Sequence, residues 1–235
     1  MVTGADRLDV PAQQQALVDV ASRLTSYPWT VDAATVRPLR GVAGLDDAAA
    51  FTVVALVALF NHLTRVADAT GIEADYGGTL PTFRRRAGAD GAPVRGVRRA
   101  ARAAGTSEAA WREPLRAVLP DVADRWTELH DYVLGRDAPL ERDVRLRLAL
   151  VAAEAAGDDA WTAELAGSAE VPVERTVLRY AEKLASRPWE MTEHDLDELR
   201  GLGYDDVAAL DVIGVVAFAA AHARLRIGVA ALLAG

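Results

Sequence analysis

The chain contains no cysteine, and that absence removes a whole region of chemistry. Disulfides, thiolate nucleophiles, cysteine-bound zinc and iron–sulfur ligation all need a sulfur donor that is not there. Lysine occurs once, as Lys183, so nearly all the positive charge is arginine. That charge is in the minority: 26 Lys and Arg stand against 34 Asp and Glu, a net charge of −8. Phosphate backbones attract the opposite field, so nucleic acid is excluded as a general partner. The longest uncharged apolar run, Ala48 to Phe60, falls short of the roughly 20 residues a bilayer span takes. The opening MVTGADRLDVPAQQQ lacks the basic-then-apolar order of a signal peptide. The expectation is a cytoplasmic protein without a membrane partner. Alternation of apolar and polar residues is missing too, so strands are not expected.

Apolar residues recur instead at intervals of three and four, as in Leu17, Val20, Ala21 and Leu24 or Leu178, Ala181, Leu184 and Ala185. One stretch is stated twice. SYPWTVDAATVRPLRG begins at Ser26, and SRPWEMTEHDLDELRG begins at Ser186. A shift of 160 superposes Leu24 on Leu184, Pro28-Trp29 on Pro188-Trp189 and Leu39-Arg40-Gly41 on Leu199-Arg200-Gly201. After one skipped residue, a shift of 159 superposes Asp46-Asp47 on Asp205-Asp206 and Arg65 on Arg224. Each copy reads as a helix, a Pro-Trp corner, a short helix capped by Asp32 or Thr192, a turn and a buried helix opened by Asp46 or Asp205. Gly41 and Gly201 are expected to stop the short helices in the left-handed conformation. Trp29 and Trp189 read as corner-packing residues.

Between the copies, residues 77–105 carry seven arginines against one acid, Asp90, amid glycines and prolines. An amphipathic helix is expected over Trp111 to Leu134 and another from about Leu140 to Ala156. Asp158 and Asp159 follow, then a shorter helical piece runs toward Gly167. The chain thus divides into a half-unit (1–76), an Arg-rich connector (77–108) and a full unit (109–235), packed as one body.

The run AEKLASRPWEMTEHDLDELRGLGYDDVAALDVIGVVAF, together with FNHLTRVADATGIEAD, resembles the carboxymuconolactone decarboxylase and alkyl hydroperoxidase D-like (AhpD-like) family. In the second string the likeness rests on Phe60, Asn61, Arg65, Ala67, Asp68, Gly71 and Glu73. The resemblance spans roughly 16–75 and 109–235. It implies an all-α AhpD-like bundle, one full unit plus a trailing half-unit related by internal pseudo-symmetry, and usually an oligomer. Peroxidase members carry an acid on one helix and Cys-x-x-Cys-x-x-x-His on the next. Carried over residue by residue, the two cysteine positions fall on Asp158 and Trp161, the histidine on Leu165 and the upstream acid on Leu146. A carboxylate cannot replace a thiolate in peroxide reduction, so thiol peroxidase activity is expected to be absent.

The remaining candidates are few. His62, Arg65 and Asp68 stand at spacings that can cluster on one side of a helix. As a site, Arg65 would hold a small carboxylate and His62 would move a proton. The competing structural reading, that Arg65 and Asp68 pair with each other or with a neighbouring helix and so tie down its end, takes precedence. In the second copy the Asn61 and Asp68 positions have become Ala220 and Ile227, with His222 and Arg224 close by. His130 lies beside Glu128 and Asp131 without a second histidine at ligand spacing, so no metal is expected. His194 belongs to the first turn of a short helix. Arg95, Arg98, Arg99 and Arg102 share a helical face and are anion-binding candidates, with Arg84, Arg85 and Arg86 nearby. Only Phe83 accompanies them, too little for base stacking. No cofactor is implied. The expected function is a non-catalytic binding or oligomerisation module, a homodimer or higher. The alternative is a non-thiol acid–base enzyme acting on a small carboxylic acid.

Overall fold

The computed structural model of the chain describes residues 11–42, 44–72, 108–167 and 171–235. These residues are all-α, with ten α-helices and no strand among them. The first segment runs through α1 (Ala12–Ser26), a 3₁₀ turn at Pro28–Thr30, α2 (Ala33–Val36), a second 3₁₀ turn at Arg37–Gly41, and α3 (Asp47–Thr70). Four helices follow: α4 (Glu108–Val118), α5 (Pro120–Gly135), α6 (Arg142–Ala156) and α7 (Asp159–Ala166). The chain then repeats the opening order through α8 (Arg175–Ser186), a 3₁₀ turn at Pro188–Glu190, α9 (Glu193–Gly201) and α10 (Asp206–Ala234). The Arg-rich cluster at Arg84, Arg85, Arg86, Arg95, Arg98, Arg99 and Arg102 lies outside the described residues.

The repeated corners match in backbone detail. Tyr27 has φ −139° and ψ 54°, and Arg187 has φ −140° and ψ 55°. Both residues precede a proline, whose ring pushes its predecessor out of the helical region and ends the helix there. The capping aspartates act as expected. Asp46 accepts from the Ala49 N–H and Asp205 from the Ala208 N–H, each at 2.8 Å, and Asp32 accepts from the Thr35 N–H at 2.9 Å. At α9 the box closes from the other side, where Asp195 reaches back to the Thr192 N–H at 2.7 Å. Burial pulls the Asp195 carboxyl upward. The bonds from Lys183 and Thr192 outweigh that pull and hold it below the ordinary carboxylate value.

Two expectations need correction. Gly41 and Gly201 are not the left-handed stops; that conformation falls on Gly44 (φ 81°) and Gly203 (φ 92°). Helix α9 keeps Gly201 as its last helical residue. It closes with the Gly203 N–H on the Arg200 carbonyl and the Tyr204 N–H on the Leu199 carbonyl, the paired bonds of a Schellman ending. The single helix expected over 111–134 is two, because Pro120 takes the first position of α5 and breaks the path after Val118.

α10 is the centre of the bundle, buried on nearly every side from Ala209 to Leu232. α3 lies antiparallel against it: Val54 packs on Gly228 and His62 meets the Ala217 carbonyl. α6 and α8 flank α10, and α4 and α5 complete the cover. Both α3 and α10 are long and apolar enough to cross a membrane by length and composition, a test the uncharged run alone did not meet. For α10 the bundle itself supplies the apolar surroundings. At the far end of α10, buried Asp211 accepts from Arg136 and Arg145. Arg145, with no exposed surface, also donates to the carbonyls of Leu140, Val133 and Ala138, each at 3.0 Å. The pair pins the α5–α6 connection to the core helix.

Gly228 has a packing reason. A Cβ there would sit 2.4 Å from the Val54 Cγ1, well inside contact distance. Helix propensity alone favours Gly228→Ala by about 1 kcal/mol. The expected result is instead a loss of about 1–3 kcal/mol in denaturant unfolding, the ordinary range for overpacking. Adding Val54→Ala should make the combined loss smaller than the sum. A stabilised Gly228→Ala would contradict the α3–α10 packing.

Candidate functional site

Two polar clusters are buried in the bundle, one on each side of α10. Three charged or titratable residues near its C-terminal half divide between them. His222 and Arg226, four residues apart, share the face toward α7, whereas Arg224 faces α1.

The α7 side holds the positions to which the family resemblance assigns its redox site. Asp158 is the N-cap of α7, its Oδ1 accepting from the Trp161 N–H at 3.0 Å. Its Oδ2 accepts from the Arg226 Nε at 2.9 Å, and the Arg226 Nη2 reaches the Glu164 Oε1 at 3.1 Å. Asp158 and Arg226 are both buried. Trp161 lies edge-on to His222 with ring centroids 4.7 Å apart, and Leu146 and Leu165 are core residues. His222 has no exposed surface and sits among Trp111, Trp126, Trp161, Phe218 and His130. The Trp126 indole N–H donates to the His222 Nδ1 at 2.9 Å, which assigns the ring proton to Nε2. His130 is half-buried, its ring 5.1 Å from His222 and its Nδ1 3.2 Å from the Asp131 carboxylate. The turn before Asp158 carries Gly157 at φ 73°, where a Cβ would lie 2.6 Å from the Trp29 Cβ. Trp29 of the first segment therefore seats on the turn that opens α7.

The α1 side holds the second cluster. Arg65 is buried and donates from Nη1 to the Asn61 Oδ1 at 2.7 Å and to the Asn61 carbonyl at 2.9 Å, and from Nη2 to the Ala185 carbonyl at 3.0 Å. Asn61 in turn donates to the Thr25 hydroxyl at 2.9 Å. Arg224, also buried, donates from Nη1 to the Ala220 carbonyl at 2.7 Å and from Nη2 to the Thr25 carbonyl at 3.0 Å. The arrangement is reciprocal. Thr25 and Ala185 are equivalent by the shift of 160, and Arg65 and Arg224 by the shift of 159. Each arginine therefore reaches the last turn of the other segment's leading helix, where orphan carbonyls carry the negative end of the dipole. Burial, with the neighbouring Arg65 charge adding to it, pulls Arg224 well below the ordinary guanidinium value.

His62 is half-buried at the edge of this cluster. Burial lowers its pKa, against the opposing pull of the Ala217 carbonyl, and the Arg65 charge lowers it further. Asp68 is exposed, three residues beyond the buried Arg65 on α3. His194 is exposed on α9. No group of three or more metal-ligating side chains occurs among the described residues.

Sequence reasoning named Asp158, Trp161, Arg65, Arg224 and His222 but missed Arg226, Arg145 and Asp211. For Asp211 and Arg226 the signal was available: a lone charge inside the apolar runs DVIGVVAF and LRIGVAALL is either misplaced or paired. The chain matches no family model, no curated protein and no solved structure.

Asp158 both caps α7 and neutralises Arg226. Asp158→Ala is expected to lose about 3–5 kcal/mol, the cost of leaving a buried charge short of its partner. Asp158→Asn, which keeps the capping oxygen, should fall between that and the parent chain in chemical denaturation. An Asp158→Ala chain as stable as the parent would mean that Arg226 does not depend on this carboxylate.

Proposed function

We propose that this chain is a cysteine-free relative of the AhpD-like family, built as a full unit and a trailing half-unit about a pseudo-two-fold axis, and acting as a non-catalytic binding or oligomerisation module. One observation carries the reading: the groups from which a site would be built are spent on intramolecular bonds. Asp158 serves the α7 cap and Arg226. Arg65 serves Asn61 and the Ala185 carbonyl. The reciprocal reach of Arg65 and Arg224 supports the pseudo-two-fold, since in a two-fold contact residue i meets j as j meets i. A chain without a thiol also cannot form the sulfenate and disulfide that a peroxidase cycle passes through.

A second reading has one observation in its favour. The His62 Nδ1 is buried without a hydrogen-bond partner, and the ring is held toward its neutral form beside Arg65. A neutral imidazole next to a guanidinium is a pairing that acid–base chemistry on a small carboxylate would use.

Two measurements on the full chain test the proposal, and the second separates the readings. Peroxide consumption with a dithiol reductant is expected to stay at background; turnover above it contradicts the mechanism argument. The histidine resonances, followed while small mono- and dicarboxylic acids are added, are expected not to move for His62. A saturable shift of His62 that disappears in Arg65→Gln would favour the acid–base reading.

A further inference from the structure

α3 presents an apolar stripe to solvent. Leu56, Leu59, Phe60 and Leu63 are between 40% and 60% exposed, at the spacing of three and four that lines one side of a helix. By the shift of 159 these residues correspond to Val215, Phe218, Ala219 and His222 of α10, all 0% exposed. On α10 that face lies under the leading helices, through Trp126 on Phe218 and Trp111 and Trp161 on His222. The tryptophans repeat the contrast. Trp29 is seated on Gly157 of the α6–α7 turn, whereas its equivalent Trp189 is 43% exposed on a turn that packs against α3. The exposed set on the first segment thus corresponds, residue by residue, to the covered set on the second.

We infer that this face is a self-association surface, on which α3 of a second copy pairs antiparallel with α3 across a two-fold axis near Leu59 and Phe60. The inference rests on the oligomerisation reading above and names its surface. Two features select a second copy. The stripe has the near-heptad spacing by which helices interlock side chains with a like helix. It is also free of charge: between Thr52 and Thr64 the exposed positions carry no ionisable side chain. The two threonine hydroxyls are turned back onto the Ala48 and Phe60 carbonyls at 2.8 and 2.9 Å. Two chains of net charge −8 repel elsewhere, so a neutral face is where they can meet. The stripe from Thr52 to Thr64 is about 18 Å long at helical rise. With Trp189 alongside, this falls at the small end of specific interfaces, below about 600 Å² per partner. The dimer is therefore reversible and its population depends on concentration.

Sedimentation velocity of the full chain over a concentration series tests this, with Phe60→Glu and, as a control, Val207→Glu on the exposed first turn of α10. The parent chain and Val207→Glu are expected to dimerise alike, and Phe60→Glu to weaken dimerisation at least about tenfold, the scale of one lost central contact. Unchanged circular dichroism and melting check that Phe60→Glu still folds. Because the chain has no cysteine, Phe60→Cys supplies a readout without background: a disulfide-linked dimer should form under mild oxidation, and Val207→Cys should give none. A monomeric parent chain across the series overturns the inference, as does a dimer that Phe60→Glu leaves intact. A monomer that floats with phosphatidylcholine vesicles, and ceases to in Phe60→Glu, would assign the face to lipid and overturn it too. A dimer that survives Phe60→Glu removes this face and leaves the oligomerisation reading standing, whereas a monomeric parent chain overturns both, so the two failures are distinguishable.

Discussion

The antiparallel contact between α3 and α10 is the constraint from which the rest of the bundle follows. It buries two guanidinium groups, Arg65 and Arg224, close enough that each feels the other's charge. Two like charges out of water are tolerable only where acceptors are dense. The structure meets that need with carbonyls at the last turns of α1 and α8, the helix ends that lack internal partners. Each arginine bonds to the opposite segment's helix, so neither segment can shift along the other without stranding a buried charge. The close approach of Gly228 to Val54 sets the distance between the two helices, and the arginines set their register.

The leading helices α4 to α7 are organised by α10 in turn. Its face toward them carries Asp211, His222 and Arg226, and each finds a partner on a different element: Arg145 of α6, Trp126 of α5 and Asp158 at the start of α7. Polar pairs of this kind add little net stability over apolar packing, yet removing one member is costly, so they select one arrangement among many apolar ones. Trp29 closes the assembly by seating on Gly157. The cluster of Asp158, Trp161, His222 and Arg226 is thereby tied to both segments.

Much of the helical plan could be read from the sequence, because its signals are local. The aspartate caps at Asp32, Asp46 and Asp205 and the proline corners at Pro28 and Pro188 depend on a few neighbouring residues, and the structure has them where expected. The misplaced left-handed glycines are a local error of two or three residues: a glycine can end a helix in right-handed conformation when another follows at the turn. The split at Pro120 was visible in the residue itself but hidden by the apolar periodicity that continues across it. The clusters were harder to see. Asn61 and Arg65 stood out as a motif, but their partner is a backbone carbonyl 120 residues away, which no side-chain pattern can announce. Arg226 and Asp211 looked like interruptions of an apolar helix, and only the packing shows which neighbours neutralise them.

The central claim is that the buried polar residues hold the two segments in register. A double-mutant cycle on Arg65→Ala and Arg224→Ala, read as unfolding free energy in denaturant, tests it most directly. Each single change should lose about 2 kcal/mol or more, since it opens a cavity and strands helix-end carbonyls. The double variant should lose more than the sum of the two by over about 0.5 kcal/mol, because each single change already relieves the repulsion between the two charges and the double can relieve it only once. Two near-neutral, additive changes would contradict the account.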